Sequence, residues 1–190
     1  IFHNGKLYVG TNQGLFYKTY DSDDYFHFVP GTKGQVWNLF ANAGTLFCGH
    51  DSGTFLIENS VARQIFSQSG TWKFESVPGQ PNLLLQGNYY GISVLQKINN
   101  QWSFRNKING FDYSSKYFEI TKNLEIYVSH EYKGVFRMQI DNKLLKTTEP
   151  FFTYPSPSKG KNASLAKFNN TIYYANKEGI FQLNHKTKDF

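Results

Sequence analysis

Apolar residues along this chain gather in short runs of strand length. Each run is closed by a few polar residues and a glycine, and no helix-period segment of ten or more residues competes. Five segments read alike. The first is Gly5-Lys-Leu-Tyr-Val-Gly-Thr-Asn-Gln-Gly-Leu-Phe16 and the second is Gly44-Thr-Leu-Phe-Cys-Gly-His-Asp-Ser-Gly-Thr-Phe55. The pattern returns from Pro81 to Ile92, from Asn123 to Phe136 and from Asn170 to Phe181. The closing glycines are Gly14, Gly53, Gly91, Gly134 and Gly179, which lie 39, 38, 43 and 45 residues apart. Each segment predicts a hairpin in which the closing glycine supplies the positive φ that a short loop needs.

Between hairpins lie two more strand-like runs per unit. One is polar, as in Val61-Ala-Arg-Gln-Ile-Phe66, and one follows a Gly- or Ser-rich turn, as in Gln35-Val-Trp-Asn-Leu-Phe40. Four strands in about 40 residues is the signature of a β-propeller blade, whose faces are buried by neighbouring blades. The predicted fold is therefore all-β: a propeller of four-stranded antiparallel blades, with about five blades in units 1–34, 35–70, 71–110, 111–161 and 162–190. The first unit opens at the tail of an inner strand and the last ends just beyond a third strand. Five blades can close a small complete ring, but the expectation is an open piece of a larger one.

Composition supports sheet structure. Aromatic residues make up 18% and charged residues also 18%, below the roughly 25% of ordinary soluble proteins. Aromatic side chains suit a pleated surface, and this apolar content excludes disorder. The single cysteine, Cys48, rules out an internal disulfide and a cysteine-rich zinc site, and its strand context predicts inert packing. No apolar run reaches membrane-spanning length. No signal peptide precedes Ile1, so a fragment or mature segment of a longer protein is expected. The net charge is +6, but the lysines are scattered and arginines number three, which predicts a solvated surface and no nucleic-acid contact.

The segment Leu7-Tyr-Val-Gly-Thr-Asn-Gln-Gly-Leu15 resembles the two-component-regulator propeller repeat, and Leu46-Phe-Cys-Gly-His-Asp-Ser-Gly53 keeps its glycines while replacing threonine by His50. Later units depart further, with Ser129 and Ala175 at the first glycine position. The resemblance implies a seven-bladed propeller in the periplasmic sensor of a membrane-anchored bacterial signalling protein, of the kind found in Bacteroidetes. It also implies a following triple-tyrosine sandwich, a membrane span, and a histidine kinase or LuxR-type helix-turn-helix output. Partners implied are other sensor modules of the same protein and a second copy in a full-length homodimer.

Candidate chemistry is sparse. His130-Glu131 opens like a zinc-protease motif, but Gly134 holds the second histidine position and the segment is a hairpin, so neither metal nor cofactor is expected. No Gly-x-Ser-x-Gly elbow is present. Recognition fits better. In a propeller the loop after the second strand and the turn leading into the next blade emerge on one face. That placement predicts a rim of His50, Asp51, Trp72, Tyr89, Tyr90, Asp112, Tyr113, His130, Glu131 and Tyr132. Flat aromatics beside carboxylates suit a small molecule or oligosaccharide bound without catalysis. Two alternatives stand: a glycoside hydrolase or lyase using Asp51, Asp112 and Glu131, and a scaffold that binds another protein.

Overall fold

A computed structural model describes residues 1–22, 25–149, 152–154 and 162–190. Its strands form five separate antiparallel sheets, each a meander in chain order. The first holds β1 (Phe2–His3), β2 (Lys6–Thr11), β3 (Gly14–Thr19) and β4 (His27–Phe28). The second holds β5 (Val36–Asn42), β6 (Thr45–His50), β7 (Gly53–Glu58) and β8 (Val61–Phe66). The third holds β9 (Thr71–Ser76), β10 (Leu83–Asn88), β11 (Gly91–Ile98) and β12 (Gln101–Lys107). The fourth holds β13 (Tyr117–Ile120), β14 (Glu125–His130), β15 (Gly134–Gln139) and β16 (Phe152–Tyr154). The fifth holds β17 (Ser164–Phe168), β18 (Thr171–Asn176) and β19 (Gly179–Gln182).

Two turn chemistries set the register. Every third strand begins at a closing glycine, and the pairs Thr11↔Gly14, His50↔Gly53, Asn88↔Gly91 and Asn176↔Gly179 leave two-residue loops. The other tight hairpins turn on residue pairs with both φ values positive, such as Asn4-Gly5, Asn99-Asn100 and Asn169-Asn170. Such pairs give the twist that adjoining strands require, and asparagine tolerates the conformation better than most side chains.

No strand of one sheet pairs with a strand of another among the described residues. Instead the first strands are neighbours in series: β5 lies against β9, β9 against β13 and β13 against β17. The sheets thus resemble propeller blades whose inner edges share a hub. Side chains alternate between the two interfaces, as the period of two demands. On β6, Leu46 and Cys48 pack with Tyr8 and Leu15 of the first sheet, while Phe47 packs with Phe74 and Leu84 of the third. On β14, Ile126 and Val128 join Leu83, Leu85 and Phe118, while Tyr127 joins Leu165 and Tyr174 of the fifth sheet. Among the described residues, each end sheet contributes to one such interface. Tyr8 is buried, yet Leu7 and Val9 on the opposite face are each 38% exposed, and Ile180 of the last sheet is 76% exposed.

Cys48 is sealed between the first two sheets, and burial pushes its thiol up to about 12. In the native protein it is expected to stay unreactive toward a thiol reagent at pH 8. One equivalent should appear on denaturation, read by absorbance of the released chromophore.

Glu125 clamps the fourth sheet to the C-terminal segment. Its Oε1 accepts from Arg137 Nη2 at 2.7 Å and Nε at 3.1 Å, and its Oε2 accepts from Lys188 Nζ at 2.8 Å. Burial opposes the charge, but the hydrogen bonds from Lys188 and Arg137 outweigh it and hold the carboxyl below its ordinary value. A carboxyl depressed by folding stabilises the protein above its unfolded pKa, and that contribution is lost as pH falls through the folded value. Glu125→Gln should therefore destabilise by about 2 kcal/mol at neutral pH. In thermal melts the gap from the parent should close as the pH falls below the ordinary carboxylate range.

Candidate functional site

The candidate site is built at the ends of the inner strands, and irregular pairing creates it. Along β5 the ladder runs from Val36↔His50 directly to Asn38↔Gly49, and along β9 from Thr71↔Asn88 to Lys73↔Gly87. The extra residues are Trp37 and Trp72. A bulge of this kind re-aims the side chain it carries. Lys116 holds the equivalent place in the fourth sheet, since the next residue, Tyr117, pairs with Ser129. These three side chains meet. The Trp37 and Trp72 rings stack at 3.8 Å and 13°, and Lys116 Nζ stands 5.1 Å from the Trp72 ring and 5.2 Å from that of Tyr117. Tyr89 meets Trp72 edge-on at 5.3 Å.

Beside Lys116 opens a hollow of about 400 Å³. Trp72 and Tyr89 of the third sheet, Ser114, Lys116, Tyr117 and Ser129 to Tyr132 of the fourth, and Ala163 ahead of the fifth line it. Ser129 is 4% exposed and, among the described residues, neither its Oγ nor the buried Trp72 Nε1 has a hydrogen-bond partner. Burial first, and then the charge of Lys133, lowers the pKa of His130, against a weaker pull from Glu131. Its Nδ1 accepts from the Tyr132 N–H at 3.2 Å, which leaves Nε2 as the ring's donor. Burial, reinforced by the Asp51 charge, raises the pKa of the Tyr89 phenol.

Of the ten rim residues expected from sequence, the structure brings Trp72, Tyr89, His130, Glu131 and Tyr132 into the hollow. Tyr113 supports it from behind, stacked on Phe136 at 5.0 Å and 6.0 Å from His130. Four, Asp51 among them, do not line it. Tyr90 is 71% exposed outside the hollow, and Asp112 is drawn into an ion pair with Lys107. His50 is buried and spent on its own turn: Nδ1 accepts from the Ser52 N–H at 3.1 Å, and Nε2 faces the Thr32 carbonyl at 3.3 Å. Ser52 Oγ and Asp51 Oδ1 both crowd the same Nδ1, at 2.8 and 2.6 Å. A Ser–His–Asp relay needs them on opposite nitrogens. The carboxylates of Asp51, Asp112 and Glu131 therefore do not converge on one hollow. The turn that ends the fourth unit, 156–161, lies outside the described residues.

Sequence reasoning missed Trp37, Ser114, Lys116, Tyr117, Ser129 and Ala163 at this mouth. For Trp37, Lys116 and Tyr117 the signal was an aromatic or basic residue at the start of an inner strand. Deeper along the hub, Lys73 bridges Glu119 at 2.7 Å and Glu75 at 2.9 Å, and Lys167 reaches Glu75 at 3.3 Å. Burial pushes the Glu119 carboxyl above its ordinary range despite Lys73. This network ties β9, β13 and β17 together. Among the described residues no cluster of three or more His, Cys, Asp or Glu side chains fit to hold a metal occurs, and no helix is long and apolar enough to cross a membrane.

No family model matches the sequence, and no curated protein matches it. Solved structures do match in fold. The extracellular domain of a putative hybrid two-component system from B. thetaiotaomicron superposes with TM-score 0.63 and 18% identity over 99% of this chain and 26% of that one. The computationally designed Ika8 protein gives 0.62 and 11% identity over 96% of this chain. An ancestral GH74 enzyme gives 0.57 and 12% identity over 95%. The chain spans 56% of the Ika8 protein and 29% of the GH74 enzyme.

Proposed function

We propose that this chain is the ligand-recognising part of a non-catalytic sensor propeller on the extracytoplasmic side of a bacterial signalling protein, with the hollow beside Lys116 as its binding site. The observation that carries this reading is convergence: aromatic and hydrogen-bonding side chains from two consecutive sheets and the start of the next line one concavity. The carboxylates that hydrolysis would need stay apart. The resemblance of Leu7–Leu15 to the two-component-regulator propeller repeat supports the sensor role, and the fold likeness agrees with it. Exposed apolar faces on the first and last sheets support a larger ring, of seven blades, in which further blades cover Leu7, Val9 and Ile180. Oligosaccharide suits the exposed tyrosines. In the full-length dimer, binding would bias two arrangements of the protein and so reach the output module.

Titration of the full-length protein against an oligosaccharide library tests this. Binding to a member, weakened at least tenfold by Tyr132→Ala, is expected. Hydrolysis of a glycan, abolished by Glu131→Gln, would replace the sensor reading with an enzymatic one.

A further inference from the structure

We infer that the hollow selects an acidic sugar: a uronic-acid residue whose carboxylate sits at Lys116 and whose ring lies against Tyr132. The inference rests on the recognition reading above and adds the ligand's charge.

The first argument is positional. Trp37, Trp72 and Lys116 occupy one equivalent place in the second, third and fourth sheets. The fifth sheet puts Ala163 there, since the following Ser164 pairs with Ala175 as Tyr117 pairs with Ser129. A rung that is bulky in three sheets shrinks to a methyl group in the next, and the hollow opens at that point with Ala163 in its wall. Lys116 lines the same hollow.

The second argument is chemical. The hub lysines Lys73 and Lys167 are spent on Glu75, Glu119 and backbone carbonyls. Lys116, by contrast, makes no ion pair or side-chain hydrogen bond among the described residues. It is held by the ring faces of Trp72 and Tyr117. Ring faces fix an ammonium in place but accept no strong hydrogen bond, so its donors remain available. The neighbouring polar groups are also rich in donors: the His130 ring with its free Nε2, and the unpartnered Ser129 hydroxyl. A carboxylate accepts from several donors at once, and charge-assisted bonds of this kind are the strong ones. Tyr132, 58% exposed at the lip, offers a ring face for the sugar. Glu131 beside it is exposed to solvent, which screens its charge, and it can accept from sugar hydroxyls.

The test is calorimetric titration of the full-length protein with di- and trisaccharides of galacturonate, glucuronate and mannuronate, each paired with its neutral hexose counterpart. An acidic member is expected to bind at least tenfold tighter than its counterpart, with added salt narrowing the difference. Lys116→Met should abolish the preference and Lys116→Arg should keep it, with unchanged near-ultraviolet circular dichroism in both. A neutral sugar that binds as tightly as the acidic one, in a Tyr132-dependent manner, overturns the charge inference and leaves the recognition reading standing. A preference that survives Lys116→Met also overturns it. Binding of no member overturns both.

Discussion

Gly53→Ala should cost about 3 kcal/mol. Two effects combine. Gly53 holds φ at +132°, a conformation that L side chains rarely adopt. A Cβ there would also lie 1.9 Å from the Phe66 carbonyl oxygen, where β8 ends over the loop. Neither the hairpin nor the strand can retreat without breaking the pairs His50↔Gly53 and Thr54↔Phe66. Gly44→Ala is the control. Its φ is also positive, at +80°, but nothing lies within 4 Å of the added atom. It should cost about 1 kcal/mol. Urea denaturation of the three proteins reads the difference, and equal midpoints for the two variants would show that the β8 approach is not as described.

Phe47→Ala should cost about 3–5 kcal/mol. The ring is wholly buried between the second and third sheets, 5.6 Å from Phe74 and 5.3 Å from Trp102. Leu56, Leu84 and Leu95 complete its surroundings, so five side chains from two sheets would face a void. The same substitution at Phe168, 67% exposed, should stay within about 0.5 kcal/mol. A small loss at Phe47 in the same denaturation experiment would mean that these two sheets do not face each other.

The hairpins were legible in the sequence because their determinant is local. A glycine with positive φ must sit at each closing position, and five of them at a regular interval mark repeated sheets. Strand alternation was legible for the same reason: Phe47 and its neighbours Leu46 and Cys48 must point to opposite faces, and both faces are apolar. The site was only partly readable. Trp37 and Trp72 turn toward the mouth because one residue is skipped in pairing with β6 and β10, and pairing across sequence distance leaves no mark on the strand itself. His50 looks like a free polar loop residue until the Thr32 carbonyl of the preceding turn closes over it. Asp112 looked available until Lys107, from the adjoining strand end, took its charge. Lys116 appears in sequence as the polar start of a strand. Its meaning emerges only when the three inner strands stand side by side.

That juxtaposition is the central claim, and circular dichroism tests it directly. Two indoles stacked at 3.8 Å couple their electronic transitions and give a far-ultraviolet couplet. The parent protein should show one, and both Trp37→Phe and Trp72→Phe should remove it while the protein remains folded. A parent spectrum without the couplet, or a couplet that survives both substitutions, would contradict the meeting of successive sheets around one mouth.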